Sequence, residues 1–252
     1  MVSNVFTQTN IAVIWDFDKT LIPGYMQDPL FKRYNVDGRT FWREVNALPK
    51  HLTRDGQEMV AVDSIYLNHI LAYVRGGVFK GLNNRILREL GGELEFYPGL
   101  PEFFPAVKAH AANNPLFSKY DIKVEHYIVS TGLRQVILGS KIAEHTEGIW
   151  ACEFVEHRFP PGYLKQNVPQ VDDGDATIQD ISYIIDNTTK TRAIFEINKG
   201  VNKIRDIDVN TNIPKEDRRI PFQNMIYVAD GPSDVPVFSL VNQNGGRTFG
   251  VY

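Results

Sequence analysis

The 252-residue chain has a single cysteine, Cys152. That excludes an intrachain disulfide and any metal cage built from several thiolates. A reducing compartment fits, and a cytoplasmic location is expected. The chain also lacks a long apolar run: nothing approaches the roughly 18 residues that a membrane helix needs. The opening MVSNVFTQTN has no basic stretch leading into an apolar one, so no secretory signal is read there. Neither charge dominates. Lys and Arg number 27 against 30 Asp and Glu, for a formal charge of −3. A surface that wraps nucleic acid needs a basic excess, so no nucleic-acid partner is expected, and no membrane. The six histidines show no metal-ligand spacing. Repeats and low-complexity tracts are absent.

What is present is ordinary globular material, 43% hydrophobic and 23% charged, long enough for one large domain or one domain carrying a smaller one. The first strong strand signal is IAVIW, residues 11–15, apolar at consecutive positions and rich in β-branching, as in a strand buried on both faces of a parallel sheet. It runs into Asp16, Asp18 and Thr20. Over 23–92 the character turns helical. Apolar residues recur at steps of three and four over 59–74, up to Gly76-Gly77, which predicts a long amphipathic helix. Shorter helices are expected over 38–46 and 84–90.

Alternation of strands and helices then resumes. Helices are expected over 98–110, 133–144 and 191–203, with Pro105 counting against a straight first one. Strands are expected over 123–129, 150–155, 182–185, 225–229 and 247–251. The stretches 160–175 and 206–222, rich in Pro, Gly and Asp or bounded by proline, read as loops. The chain stops on the last strand, which leaves a native end and a piece of a longer protein both open. The pattern predicts an α/β fold: a Rossmann-like, three-layer core with a mostly parallel sheet, and a helical insertion.

Three of these strands end in polar residues: Asp16/Asp18/Thr20, Ser130/Thr131 and Asp230/Asp234. In a parallel sheet all three endings share one edge, so residues far apart in sequence can meet. Carboxylates gathered in one cleft repel unless a cation neutralises them. All-oxygen ligands point to a hard cation, Mg²⁺ first. Mg²⁺ beside a carboxylate nucleophile suggests phosphate chemistry. Ser130 offers a hydroxyl and Gly132 a backbone N–H as an anion cradle. Lys190 is the chosen lysine to complete the charge balance, with Lys199 and Lys203 as rivals.

These residues resemble the haloacid-dehalogenase-like (HAD) superfamily, and within it the aspartate-nucleophile phosphatases related to phosphoserine phosphatase. The first motif of that superfamily, D-x-D-x-T after a hydrophobic strand, matches Asp16-Phe17-Asp18-Lys19-Thr20. The second, a Ser or Thr ending a strand, matches Ser130 in IVSTG. The third, a basic residue at a helix start, matches Lys190 in TTKTRAIFEINKG. The fourth, D-G-x-x-D, matches Asp230-Gly231-Pro232-Ser233-Asp234. The resemblance implies that Asp16 attacks phosphorus and forms an aspartyl-phosphate. Asp18 acts as acid and then base. Asp16, the Asp18 carbonyl and Asp230 hold Mg²⁺, with Asp234 in support. Ser130, Thr131, Gly132 and Lys190 bind the phosphoryl group. It also implies a core of residues 1–22 and 93–252 and a helical cap, 23–92, that closes over a small phosphorylated metabolite.

Several readings stay open beside this one. Arg33, Arg39, Arg43 and Arg75 either greet an anionic substrate or sit on solvated faces. Phe41, Trp42, Tyr66 and Tyr73 either line a cap cleft or pack cap helices together. Cys152 reads as a small buried hydrophobe. Thr20 reads as a residue that orients its loop. A phosphotransferase or phosphomutase with the same nucleophile is the alternative activity. A catalytically silent binding or regulatory protein is the alternative class. The sequence leaves the substrate and the oligomeric state unassigned.

Overall fold

The computed structural model describes residues 8–57, 59–165 and 176–252. A six-stranded sheet forms its centre, made of β1 (Asn10–Trp15), β2 (Lys123–Leu133), β3 (Gly148–Val155), β4 (Asp180–Tyr183), β5 (Met225–Ala229) and β6 (Arg247–Gly250). The order is β4-β3-β2-β1-β5-β6. Every pair is parallel except β3–β4, which is antiparallel. The apolar 11–15 run thus becomes the central strand, where both faces are covered and no polar face is needed.

Helices α1 (Asp28–Arg33), α2 (Gly38–Arg54), α3 (Ile65–Arg75) and α4 (Asn84–Gly91) make up the insertion. The core carries α5 (Phe103–Asn113), α6 (Pro115–Lys119), α7 (Arg134–Gly139), α8 (Thr189–Lys199) and α9 (Val235–Gln243). Helices cover both faces of the sheet. Trp15 packs edge-on against Phe103 and Phe104 of α5, while Tyr227 packs against Phe238 of α9. Tyr227 is level with Ile14, the neighbour of Trp15, so its side chain leaves the opposite face. This three-layer α/β architecture is the one that the strand and helix pattern predicts. Among the described residues, no helix is long and apolar enough to cross a membrane.

Several elements differ from expectation for physical reasons. The long insertion helix starts at Ile65 rather than 59. The helix expected over 38–46 runs on to Arg54 through Pro49, its start held by the Asp37 carboxylate, which accepts from the Arg39 and Thr40 N–H groups. Pro105 is the third residue of α5, inside the first turn, where a missing N–H costs nothing. The helix expected over 133–144 is cut to Arg134–Gly139, followed by a single 3₁₀ turn, Ala143–His145. Here α4 lies hard against α7: a Cβ on Gly139 would sit 1.8 Å from the Arg88 carbonyl oxygen, and one on Gly91 2.0 Å from that of Val136. The strand expected over 182–185 is displaced toward the N-terminus and antiparallel. Of the loop expected over 160–175, residues 166–175 lie outside the described residues; Tyr163–Lys165 forms one 3₁₀ turn.

Candidate active site

The parallel register decides where the acidic motifs go. Trp15 is level with Ile128 of β2 and with Val228 of β5. One step further along, Asp16 follows β1 and its N–H still donates to the Val228 carbonyl (2.9 Å). Ser130 and Asp230 therefore end up flanking it at the same edge. Side-chain oxygens of Asp16, Asp230 and Asp234 all lie within 4.8 Å of one another.

Local structure sets each residue. After Asp16 the chain turns sharply, with the N–H groups of Thr20, Leu21 and Ile22 all directed at the Phe17 carbonyl. Lys19 takes the left-handed region at φ 57°, and its ammonium donates to Tyr25 Oη (2.7 Å). Thr20 is buried and its hydroxyl has no partner among the described residues. The Asp18 carboxylate accepts from the Met26 N–H (3.0 Å). Asp234 ends the short turn Pro232–Asp234 and stands at the N-cap position of α9, yet its side chain makes no capping bond. Its carboxylate instead accepts from Lys190 Nζ (2.6 Å), Ser233 Oγ (2.8 Å) and Tyr227 Oη.

Lys190 is fully buried in the first turn of α8 and donates to both Asp16 (2.8 Å) and Asp234. Asp186 holds that turn by accepting from the Thr188 and Thr189 N–H groups. The rivals lie elsewhere. Lys199 donates to the carbonyls of Val209 and Thr211, and Lys203 pairs with Glu147.

On β2, Ser130 is buried and its Oγ accepts from the Gly132 N–H (3.0 Å). This corrects one expectation: Gly132 does not offer a free N–H. It lies in the irregular end of β2, and its donor is already spent on Ser130. A Cβ there would sit 2.2 Å from Met26 Cε, so a larger residue would have to displace the end of that side chain. The Leu133 N–H donates to Met26 Sδ (2.9 Å), so Met26 ties the loop after β1 to the end of β2. The Thr131 carbonyl accepts from Tyr66 Oη of α3 (2.6 Å) and from Cys152 Sγ (3.3 Å).

Burial sets the electrostatics. It pushes the Asp16 carboxyl up to about 6, against the pull of Lys190 and with the push of Asp234. Burial, then the charge of Asp16, holds Asp18 well above the usual carboxylate range. For Lys190, burial works to lower the value, but Asp16 and Asp234 outweigh it and the ammonium is held above its ordinary range. Tyr227 is pushed up by burial and by Asp234, so it remains a donor. Four carboxylates share the site with one buried ammonium, and the converging donors are all oxygen. That set fits a hard divalent cation.

Tyr227 and Met26 are the site residues that sequence reasoning missed. Tyr227 was legible only as an alternate position of β5, and Met26 carries no signal at all.

No family model matches the sequence. A protein of Borreliella burgdorferi, described as uncharacterized, is 44% identical over 233 residues, 92% of this chain and 78% of that protein. The chain belongs to the same family as that protein. A HAD family hydrolase from Salmonella enterica subsp. enterica serovar Typhi superposes with a TM-score of 0.56 at 13% identity, covering 98% of this chain and 69% of the other. A substrate-bound phosphoserine phosphatase superposes at 0.51 with 15% identity, over 96% and 93%. The chain has a HAD-like fold. Within a HAD-like sheet, the cluster of Asp16, Asp230 and Asp234 occupies the C-terminal edge of the central strands, where open α/β sheets place their ligands.

Proposed function

We propose that this chain is a Mg²⁺-dependent phosphomonoester hydrolase acting on a small phosphorylated metabolite. The observation that carries the reading is the convergence of Asp16, Asp230 and Asp234, with Lys190 bridging Asp16 and Asp234. Asp16, Asp230, Asp234 and the Asp18 carbonyl would hold the ion, which supplies charge neutralisation for phosphoryl oxygens. An Asp16 carboxylate oxygen attacks phosphorus and the bond to the leaving oxygen breaks. The Asp18 carboxyl, kept protonated by burial and by Asp16, gives its proton to that oxygen. The aspartyl-phosphate on Asp16 is then attacked by water, whose proton passes to Asp18, and phosphate leaves. Lys190 and Ser130 bind phosphoryl oxygens and stabilise the charge that develops there. Tyr227 fixes Asp234 and through it Lys190.

Residues 23–92 act as the cap over a core of 1–22 and 93–252. The hydrogen bond from Tyr66 Oη of α3 to the Thr131 carbonyl (2.6 Å) supports this reading. Such a roof excludes water and admits a small substrate.

The test is inorganic phosphate release from a panel of phosphomonoesters, with Mg²⁺ and with chelator. The expected result is turnover that needs Mg²⁺ and disappears in Asp16→Asn. No release from any ester, or release that survives Asp16→Asn, overturns the reading. Faster transfer to an added alcohol than to water would make the enzyme a phosphotransferase instead.

A further inference from the structure

Three hydrogen bonds meet at the peptide group between Thr131 and Gly132. Its carbonyl accepts from Tyr66 Oη (2.6 Å) and from Cys152 Sγ (3.3 Å), and its N–H donates to Ser130 Oγ (3.0 Å). The carbonyl of residue 131 and the N–H of residue 132 belong to one planar unit, and across a trans bond they point in opposite directions. A hydroxyl from the insertion is therefore joined to the Ser130 side chain through a single rigid plane.

The sheet leaves this plane to be held by other means. Val129 is level with Trp150 of β3 but Leu133 with Cys152, so β2 carries extra residues between them. Such a bulge disrupts the regular ladder and re-aims what the strand carries. From the core, Cys152 supplies a thiol, a weak donor. From α3, the buried Tyr66 supplies the shorter bond. Burial, above all, pushes its hydroxyl well above the ordinary range, so it keeps its proton and donates. A donor on the carbonyl also polarises the peptide and strengthens its N–H as a donor. Ser130 Oγ, fixed by accepting from that N–H, still has its own proton to give, and among the described residues it donates to no acceptor.

We propose that Tyr66 is a positioning residue for phosphate binding: through the 131–132 peptide it sets the Ser130 hydroxyl as a donor to the phosphoryl group. Because Tyr66 belongs to the insertion, the seating of α3 and the grip on phosphate strengthen each other. The inference rests on the phosphatase reading above, which assigns Ser130 to the phosphoryl group, and adds the residue that governs Ser130.

The experiment titrates inorganic phosphate into the protein by calorimetry with saturating Mg²⁺, and measures kcat/KM for p-nitrophenyl phosphate. It compares wild type, Tyr66→Phe, Ser130→Ala and the double variant. Tyr66→Phe should weaken phosphate binding by about five- to tenfold and Ser130→Ala by about tenfold or more, with kcat/KM falling alongside. In the Ser130→Ala background, Tyr66→Phe should change phosphate affinity by less than about twofold, since its route to the ligand has gone. A merely structural role would weaken both backgrounds alike. Additive losses, or an affinity lost in Ser130→Ala and unchanged in Tyr66→Phe, overturn this inference and leave the phosphatase reading standing. An affinity unchanged in Ser130→Ala overturns it together with the role of Ser130. A wild type that neither binds phosphate nor releases it from any ester of the panel overturns both readings.

Discussion

The carboxylates of the floor and two polar groups of the proposed roof differ in how far the protein itself engages them. On the floor, Asp234 is engaged by Lys190, Ser233 and Tyr227, Asp16 by Lys190, and Asp18 by the Met26 N–H. On the roof side, Gln27 Oε1 and Trp42 Nε1 have no partner among the described residues. A group that must perform chemistry is held before the substrate arrives, since preorganised charge needs no rearrangement during reaction. Floor substitutions should therefore damage stability or the chemical step more than roof substitutions do.

The most direct way to break this contrast is at Asp16. Asp16→Asn keeps the shape of the side chain and removes the proposed nucleophile, so kcat should fall by about 10³-fold or more with the far-ultraviolet circular dichroism spectrum intact. Lys190→Met strips the floor of its buried ammonium and leaves the carboxylates of Asp16 and Asp234 facing each other. In metal-free buffer, urea unfolding should show a loss of about 3–5 kcal/mol, and added Mg²⁺ should recover part of it. A stability equal to wild type would mean that the floor is not preorganised.

His126 sharpens the contrast from beneath. It neighbours Trp15, the residue before Asp16; its Nδ1 accepts from Trp15 Nε1 (3.2 Å) and its Nε2 lies 3.3 Å from the Phe104 carbonyl. Burial, with Lys108 adding, pushes the imidazole down to about 4. The unfolded chain binds a proton near pH 6.5, whereas the folded chain does not until near pH 4. Stability is therefore complete above the higher value and falls as pH drops through that window, by about 3 kcal/mol in all. His126→Gln, which keeps an acceptor and a donor, should flatten this slope in denaturant midpoints measured from pH 7 to 4. Smallest of all, Tyr227→Phe should cost about 1–2 kcal/mol and lower kcat, with little change in KM, because Asp234 loses one of its donors.

Much of the floor was legible in the sequence, for a physical reason. A buried parallel strand must be continuously apolar, so a polar residue at its end stands out, as Asp16, Ser130 and Asp230 do. Lys190 was legible because it opens a helix after a strand; only the fold separates it from Lys199, which reaches a loop, and Lys203, which reaches Glu147. The N–H of Gly132 was misread, because a glycine after a strand suggests a free donor, whereas this one is spent on Ser130. The roof was far less legible. Helical periodicity reveals which face of α2 or α3 is apolar but not which polar residue ends up unpaired above Asp18. The antiparallel β4 was hidden too, because short apolar runs carry no direction.

The central claim is that Asp16, held among the converging acidic strand ends, accepts the phosphoryl group. The most direct test is to quench the enzyme during steady turnover with Mg²⁺, reduce it with borohydride and map its peptides by mass spectrometry. The account predicts that residue 16 is recovered in part as homoserine, the reduction product of an aspartyl-phosphate, and that chelator abolishes this. Unmodified Asp16 throughout, in a preparation that is releasing phosphate, would contradict it.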